Sequence, residues 1–217
     1  MIKTKLPVGL IYGHTQTGKL TPTSDVYHEE GLFEKVIVYS YNDPENFIEH
    51  LDASKRYFTQ KDLKEFVTYK YQIDNQLLAD DLSFYNLVYN RFIEKTKNAK
   101  FFYGEILQKP FDFNRKENID INYEEVAFAK NDEQLLDYWR KQLKLQTLSR
   151  VEDKILEQEK RIKSSEKFIA KSFAEFEIEA RAEVLKNMNE LYARIEELEH
   201  EDWFSTFLNS VVGAFDP

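Results

Sequence analysis

With 217 residues, 39 Asp and Glu against 30 Lys and Arg, and a formal net charge of -9, the chain lacks the basic surface that a nucleic-acid partner calls for. It has no cysteine, which removes disulfides, thiolate zinc sites, iron–sulfur ligation and thiol nucleophiles together, and excludes a small disulfide-stapled secreted scaffold. A composition of 42% hydrophobic and 32% charged residues describes a folded globular chain, and at this length about 70% of the unfolded surface is buried, enough for one core or two modest ones.

The first apolar run, Leu6 to Tyr12, is broken by Pro7 and Gly9. It is far short of the ~20 residues that span a bilayer and is followed by no small-residue cleavage site, so it reads as neither anchor nor export signal. Gly9, Gly13, Gly18 and Gly31, with Pro7 and Pro22, crowd the start of the chain. Residues 1–43 therefore read as an atypical, irregular or short β-like segment. From Leu32 to Val212 the one glycine is Gly104 and the prolines are Pro44 and Pro110, so little breaks helices there. The fold class is mainly α, an irregular multi-helix bundle over residues 44–217.

Asp43 before Pro44 predicts a helix N-terminus, with Phe47, Ile48 and Leu51 on one face. Thr59 with Asp62 resembles a capping box and opens a second helix to about Ala79, whose stripe includes Leu63, Phe66, Val67 and Ile73. A third helix runs from Leu82 to Gln108, where Pro110 stops it. Between Phe111 and Lys130 apolar and polar residues alternate over short stretches, which predicts an ordered loop with strand fragments. Asn131 with Gln134 caps the next helix, carrying Leu135, Trp139 and Leu143. The balanced charges from Glu152 to Lys167, with Glu157 and Arg161 four apart, form a solvated helical face. A further helix spans Ala170 to Glu199, and the last is the most amphipathic.

Candidate chemistry is sparse. Gly13-His-Thr-Gln-Thr-Gly18-Lys19-Leu20 nearly matches a phosphate-binding loop, but Leu20 stands where a magnesium-ligating hydroxyl belongs and Thr21-Pro22 follows instead of a helix start. His28-Glu29-Glu30 and His200-Glu201-Asp202 begin like a zincin helix, yet Leu32 and Phe204 occupy the second histidine position. Histidines at 14, 28, 50 and 200 make no metal set, and Ser164 and Ser165 lie in a charged helical stretch without a base. Carboxylates are too abundant to single out an acid/base pair. The expectation is no catalytic residue, no cofactor and no metal. Most aromatics fall on helical stripes and are core. Trp203, Phe207 and Val211 differ, because they crowd a terminal helix with no following element, which suggests a contact surface for a neighbour.

Several stretches resemble a known family: Phe47-Ile48-Glu49-His50-Leu51-Asp52 running on through Lys55-Arg56-Tyr57-Phe58-Thr59-Gln60-Lys61-Asp62, then Lys109-Pro110-Phe111-Asp112-Phe113 and Trp139-Arg140-Lys141-Gln142-Leu143-Lys144, then Lys171-Ser172-Phe173-Ala174-Glu175 and the end from Phe207 to Pro217. Together they are similar to the N-terminal helical domain of tail-specific, or carboxy-terminal processing, proteases of the S41 serine peptidase type, in its Bacteroidetes form. The resemblance covers roughly Pro44 to Pro217. It implies an accessory part of a peptidase whose Ser/Lys dyad and PDZ region lie outside this sequence, inactive by itself. Its implied partners are that PDZ and protease region and protein substrates or an adaptor, in the periplasm, although the export signal expected there is missing from the start of this chain. Two other readings stand beside it: a free-standing helical interaction module that self-associates through Trp203 to Phe215, and a nucleotide binder using Gly13 to Lys19.

Overall fold

A computed structural model describes residues 45–164 and 169–213. Residues 1–43, with the phosphate-loop-like stretch, His14 and His28, lie outside the described residues. The described chain forms α1 (Glu45–Leu51), α2 (Gln60–Phe66), a 3-10 turn (Val67–Tyr69), α3 (Ile73–Leu78), α4 (Ser83–Leu107), α5 (Asp132–Lys163), α6 (Phe173–Glu197) and α7 (His200–Gly213). No strand occurs among the described residues, so the mainly α fold holds. None of the described helices is long and apolar enough to cross a membrane. By contact these residues divide into two units, one of 45–53, 62–91 and 199–213, the other of 54–61, 92–164 and 169–198.

In the first unit α1 packs on α7 because Phe47, Ile48 and Leu51 form one apolar face. The Phe47 ring lies 5.0 Å from Phe207, 6.3 Å from Phe84 and 6.0 Å from Tyr85, in edge-on and tilted geometries that aromatic quadrupoles favour. Arg91 ties α2 to α4: its guanidinium bonds the buried Asp62 carboxylate, reaches Glu65 at 2.8 Å and lies 6.0 Å over the Phe66 ring.

The continuous helix expected from Thr59 to Ala79 is instead broken in three. Val67, Thr68 and Tyr69 are weak helix formers. The Thr68 hydroxyl donates to the Glu65 carbonyl at 2.6 Å and the Gln72 amide donates to the Thr68 carbonyl at 2.8 Å, so side chains compete for backbone acceptors. The break is completed by Tyr71 at φ 71. Asp80, at φ 54, closes α3 in the left-handed conformation, with the Asp81 amide donating to the Gln76 carbonyl at 2.7 Å and the Asp80 amide to Leu77 at 3.3 Å. Asp81 Oδ1 then accepts from the Ser83 amide at 2.9 Å and starts α4.

In the second unit Asn131 caps α5 as predicted, its side chain accepting from the Gln134 amide at 2.9 Å. The start of α6 falls at Phe173, because Ser172 and Glu175 form a complete capping box. The periodicity of the sequence extends back to Ala170 and hides that Ser-x-x-Glu signal. α5 and α6 pack through Val151, Phe176 and Ala180, with Ile155 against them. The end of α4 is held by Arg181, which donates to the Leu107 carbonyl at 2.8 Å, while Glu177 accepts from Arg181 and from the Phe111 amide. The strand fragments expected from Phe111 to Lys130 reduce to one isolated bridge, Thr59 with Ala129.

Gly104 sits inside α4, and a Cβ added there meets nothing within 4 Å. Gly104→Ala should therefore stabilise the protein by about 1 kcal/mol through helix propensity alone. A melting midpoint raised by a few degrees would bear this out, and a lowered one would contradict it.

Candidate functional site

The second unit carries two polar constellations. In the first, Lys144 on α5 is buried, and its ammonium donates to the Asp112 carbonyl at 2.6 Å, the Arg115 carbonyl at 3.3 Å and Glu117 Oε1 at 2.6 Å. Arg140, one turn earlier on α5, grips both Glu117 oxygens at 3.0 and 2.5 Å and also bonds Asp137. The Arg140 hydrogen bonds, then that of Lys144, hold the Glu117 carboxyl down at about 2 against a usual 4.5. The network anchors the strand-less segment 111–123 to α5. Its charges are matched within the chain, so it is structural.

The second constellation is a cleft of about 170 Å³. The C-terminal part of α4 supplies Glu94, Lys95, Asn98 and Phe102, the start of α5 supplies Asp132, Leu135 and Trp139, and the turn before α2 supplies Arg56 and Tyr57. Trp139, 1% exposed, forms the floor. Its Nε1 donates to the Arg56 carbonyl at 2.9 Å, and the Arg56 guanidinium rests 5.6 Å over the indole. The same turn is stitched down by Tyr138, whose hydroxyl donates to the Ser54 carbonyl at 3.4 Å, and by Lys55. Lys55 adopts φ 52, bonds the Val126 carbonyl and lies 5.4 Å over the Phe128 ring. A non-glycine residue in that conformation persists only where its surroundings fix it. Across the cleft Lys95 bonds Asp132 at 3.0 Å, with the lysine side chain 15% exposed. The lining thus offers two cations, two carboxylates and an apolar floor.

Behind the floor, Tyr192 donates to the Tyr57 hydroxyl at 3.2 Å and Tyr103 donates to Asn189 Oδ1 at 3.0 Å, with the Tyr103 and Tyr192 rings 5.0 Å apart. Burial, foremost, pushes the Tyr192 and Tyr103 hydroxyls above their usual range.

The residues singled out in the sequence fall elsewhere. Trp203 and Phe207 lie inside the first unit, 9% and 2% exposed, with Phe207 against Phe47, Phe84 and Tyr85. Within this unit α1 covers Phe207 through Phe47; an amphipathic stripe serves a core as readily as a partner. The Val211 side chain lies outside the described residues. His200, first residue of α7, packs edge-on to Tyr85 and Tyr89 at 5.3 and 5.0 Å. Among the described residues no three His, Asp or Glu gather as a metal would need. Arg56, Lys95 and Asp132 carry no periodic or motif signal; Trp139 does, but as a core position.

Residues 39–217 match the family model described as tail specific protease N-terminal domain. No curated protein matches the chain.

Proposed function

Because this chain belongs to the family of tail-specific protease N-terminal domains, we propose that it serves a serine peptidase of the S41 type as a non-catalytic helical scaffold and as a contact surface for protein substrates or an adaptor. The periplasm, implied by the resemblance, is part of the same proposal. The observation that carries the contact role is Leu156 on α5 and Ile178 on α6, 47% and 59% exposed and turned away from the face through which the two helices pack at Val151, Phe176 and Ala180. Exposed aliphatic side chains on rigid helices are the kind of surface that holds an unfolded chain without cutting it.

The test is fluorescence polarisation with a labelled, permanently unfolded protein bearing an apolar carboxy terminus, followed by mass spectrometry of the mixture. Binding is expected, weakened several-fold by Ile178→Asp at unchanged melting temperature, with the labelled protein intact. New termini generated by this chain alone, or binding indifferent to Ile178→Asp, would refute the proposal. The free-standing self-associating module predicts instead concentration-dependent dimers in light scattering.

A further inference from the structure

We infer that the turn end of the α5–α6 hairpin, in the second unit, docks on a membrane surface that carries anionic lipid. Charge marks the place. The chain as a whole has a formal net charge of -9, yet residues 160–164 and 169–173 hold Lys160, Arg161, Lys163 and Lys171 and no acid. The helix dipole accounts for basic residues in the last turn of α5. It does not account for what stands beside them: Ile162, Ile169 and Phe173 are 56%, 91% and 45% exposed. Basic side chains around exposed aliphatic and aromatic ones suit a headgroup layer, where ammonium groups meet lipid phosphates and apolar side chains enter the acyl boundary. A polyacidic segment would satisfy the charges but offers Ile169 no apolar layer to enter.

The flank of this turn on α6 is ordered before any docking. Gln158 on α5 grips the Lys171 backbone from both sides, its Oε1 accepting from the amide at 2.7 Å and its Nε2 donating to the carbonyl at 3.1 Å. The Ser172 and Glu175 capping box fixes the next residue, and the Phe173 ring lies 5.5 Å from Phe113. Ile169 thus stands two residues from a clamped backbone, which lowers the entropy lost on association. Lys171 pairs with Glu179, whereas Lys160 and Lys163 are exposed and make no ion pair among the described residues. In about 0.1 M salt, charges more than about 10 Å from the lipid plane are largely screened, so the acidity of the remaining chain does not cancel the local attraction. None of the described helices can cross a bilayer, so the contact is with its surface. This docking goes beyond the family role and does not depend on whether the chain holds unfolded protein.

Flotation of the whole chain with vesicles of phosphatidylcholine alone, and of phosphatidylcholine mixed with phosphatidylglycerol, tests it. The chain is expected to float with the mixed vesicles and not with the neutral ones, and to be released when salt rises from about 0.1 M to about 1 M. Lys160→Gln and Lys163→Gln should each weaken partitioning about five-fold. Ile169→Asp should weaken it about ten-fold or more. All three should leave the melting temperature unchanged, since each side chain is exposed. Equal flotation with both vesicles, none with the mixed vesicles, or indifference to the lysine and isoleucine variants overturns the inference. Binding to poly-L-glutamate but not to the mixed vesicles assigns the basic turn to an acidic protein, and overturns it as well.

Discussion

Glu117→Ala is expected to destabilise the protein by about 3–5 kcal/mol, because it strands two cations rather than removing one anion. The Glu117 side chain is 12% exposed and that of Lys144 10%, and they meet at 2.6 Å. With the carboxylate gone, the Lys144 ammonium keeps two carbonyl acceptors, while Arg140 keeps Asp137. Neither retains full neutralisation in a place shielded from water. The segment 111–123 would loosen from α5 before the helices melt, since no strand pairing supports it.

The same carboxylate gives the effect a pH signature. Its pKa is lower in the folded chain, about 2, than the usual 4.5, so the folded state binds fewer protons than the unfolded state between those values. The stability it contributes is complete above pH 4.5 and is lost as pH falls toward 2. Urea unfolding across that window should show wild type losing more than Glu117→Gln. Parallel losses in the two proteins would show that the network is solvated and weak.

Trp139→Ala should cost a further about 3–5 kcal/mol, by a different route. The indole is 1% exposed and its ring lies 6.5 Å from Tyr57, edge-on. Truncation leaves a large cavity at the base of α5 and releases the Arg56 carbonyl. Trp139→Phe separates the two effects, since it fills most of the volume and loses only the hydrogen bond, for about 1 kcal/mol. Denaturant unfolding followed by circular dichroism measures both. If alanine and phenylalanine cost the same, the volume argument is wrong and the turn is what matters.

Much of the architecture was legible because long helices announce themselves. α4 starts and stops within a residue of its predicted bounds, since Pro110 and a sustained apolar stripe both mark it. Asn131 was readable as a cap from its spacing to Gln134. The single helix predicted through Val67-Thr68-Tyr69 was not found, because periodicity weighs apolar spacing and ignores how Thr68 and Gln72 draw backbone groups into local bonds. Trp203 and Phe207 illustrate a second limit. Their pattern identifies an apolar face but not the element that meets it; for Phe207 that element is α1, some 150 residues earlier in the chain. The cleft was hidden for the same reason. Arg56, Lys95 and Asp132 come from three separated segments, and only the folded arrangement of a turn and two helices makes them neighbours.

The joined tyrosines behind the indole floor set a limit at the alkaline end. A hydroxyl whose ionisation is harder folded than unfolded lends stability that is whole below the free phenol's value, 10.0, and drains away as base is added beyond it. In a spectrophotometric titration Tyr192 and Tyr103 in the second unit, like Tyr85 in the first, should ionise late, so their absorbance reports the opening of the structure around them.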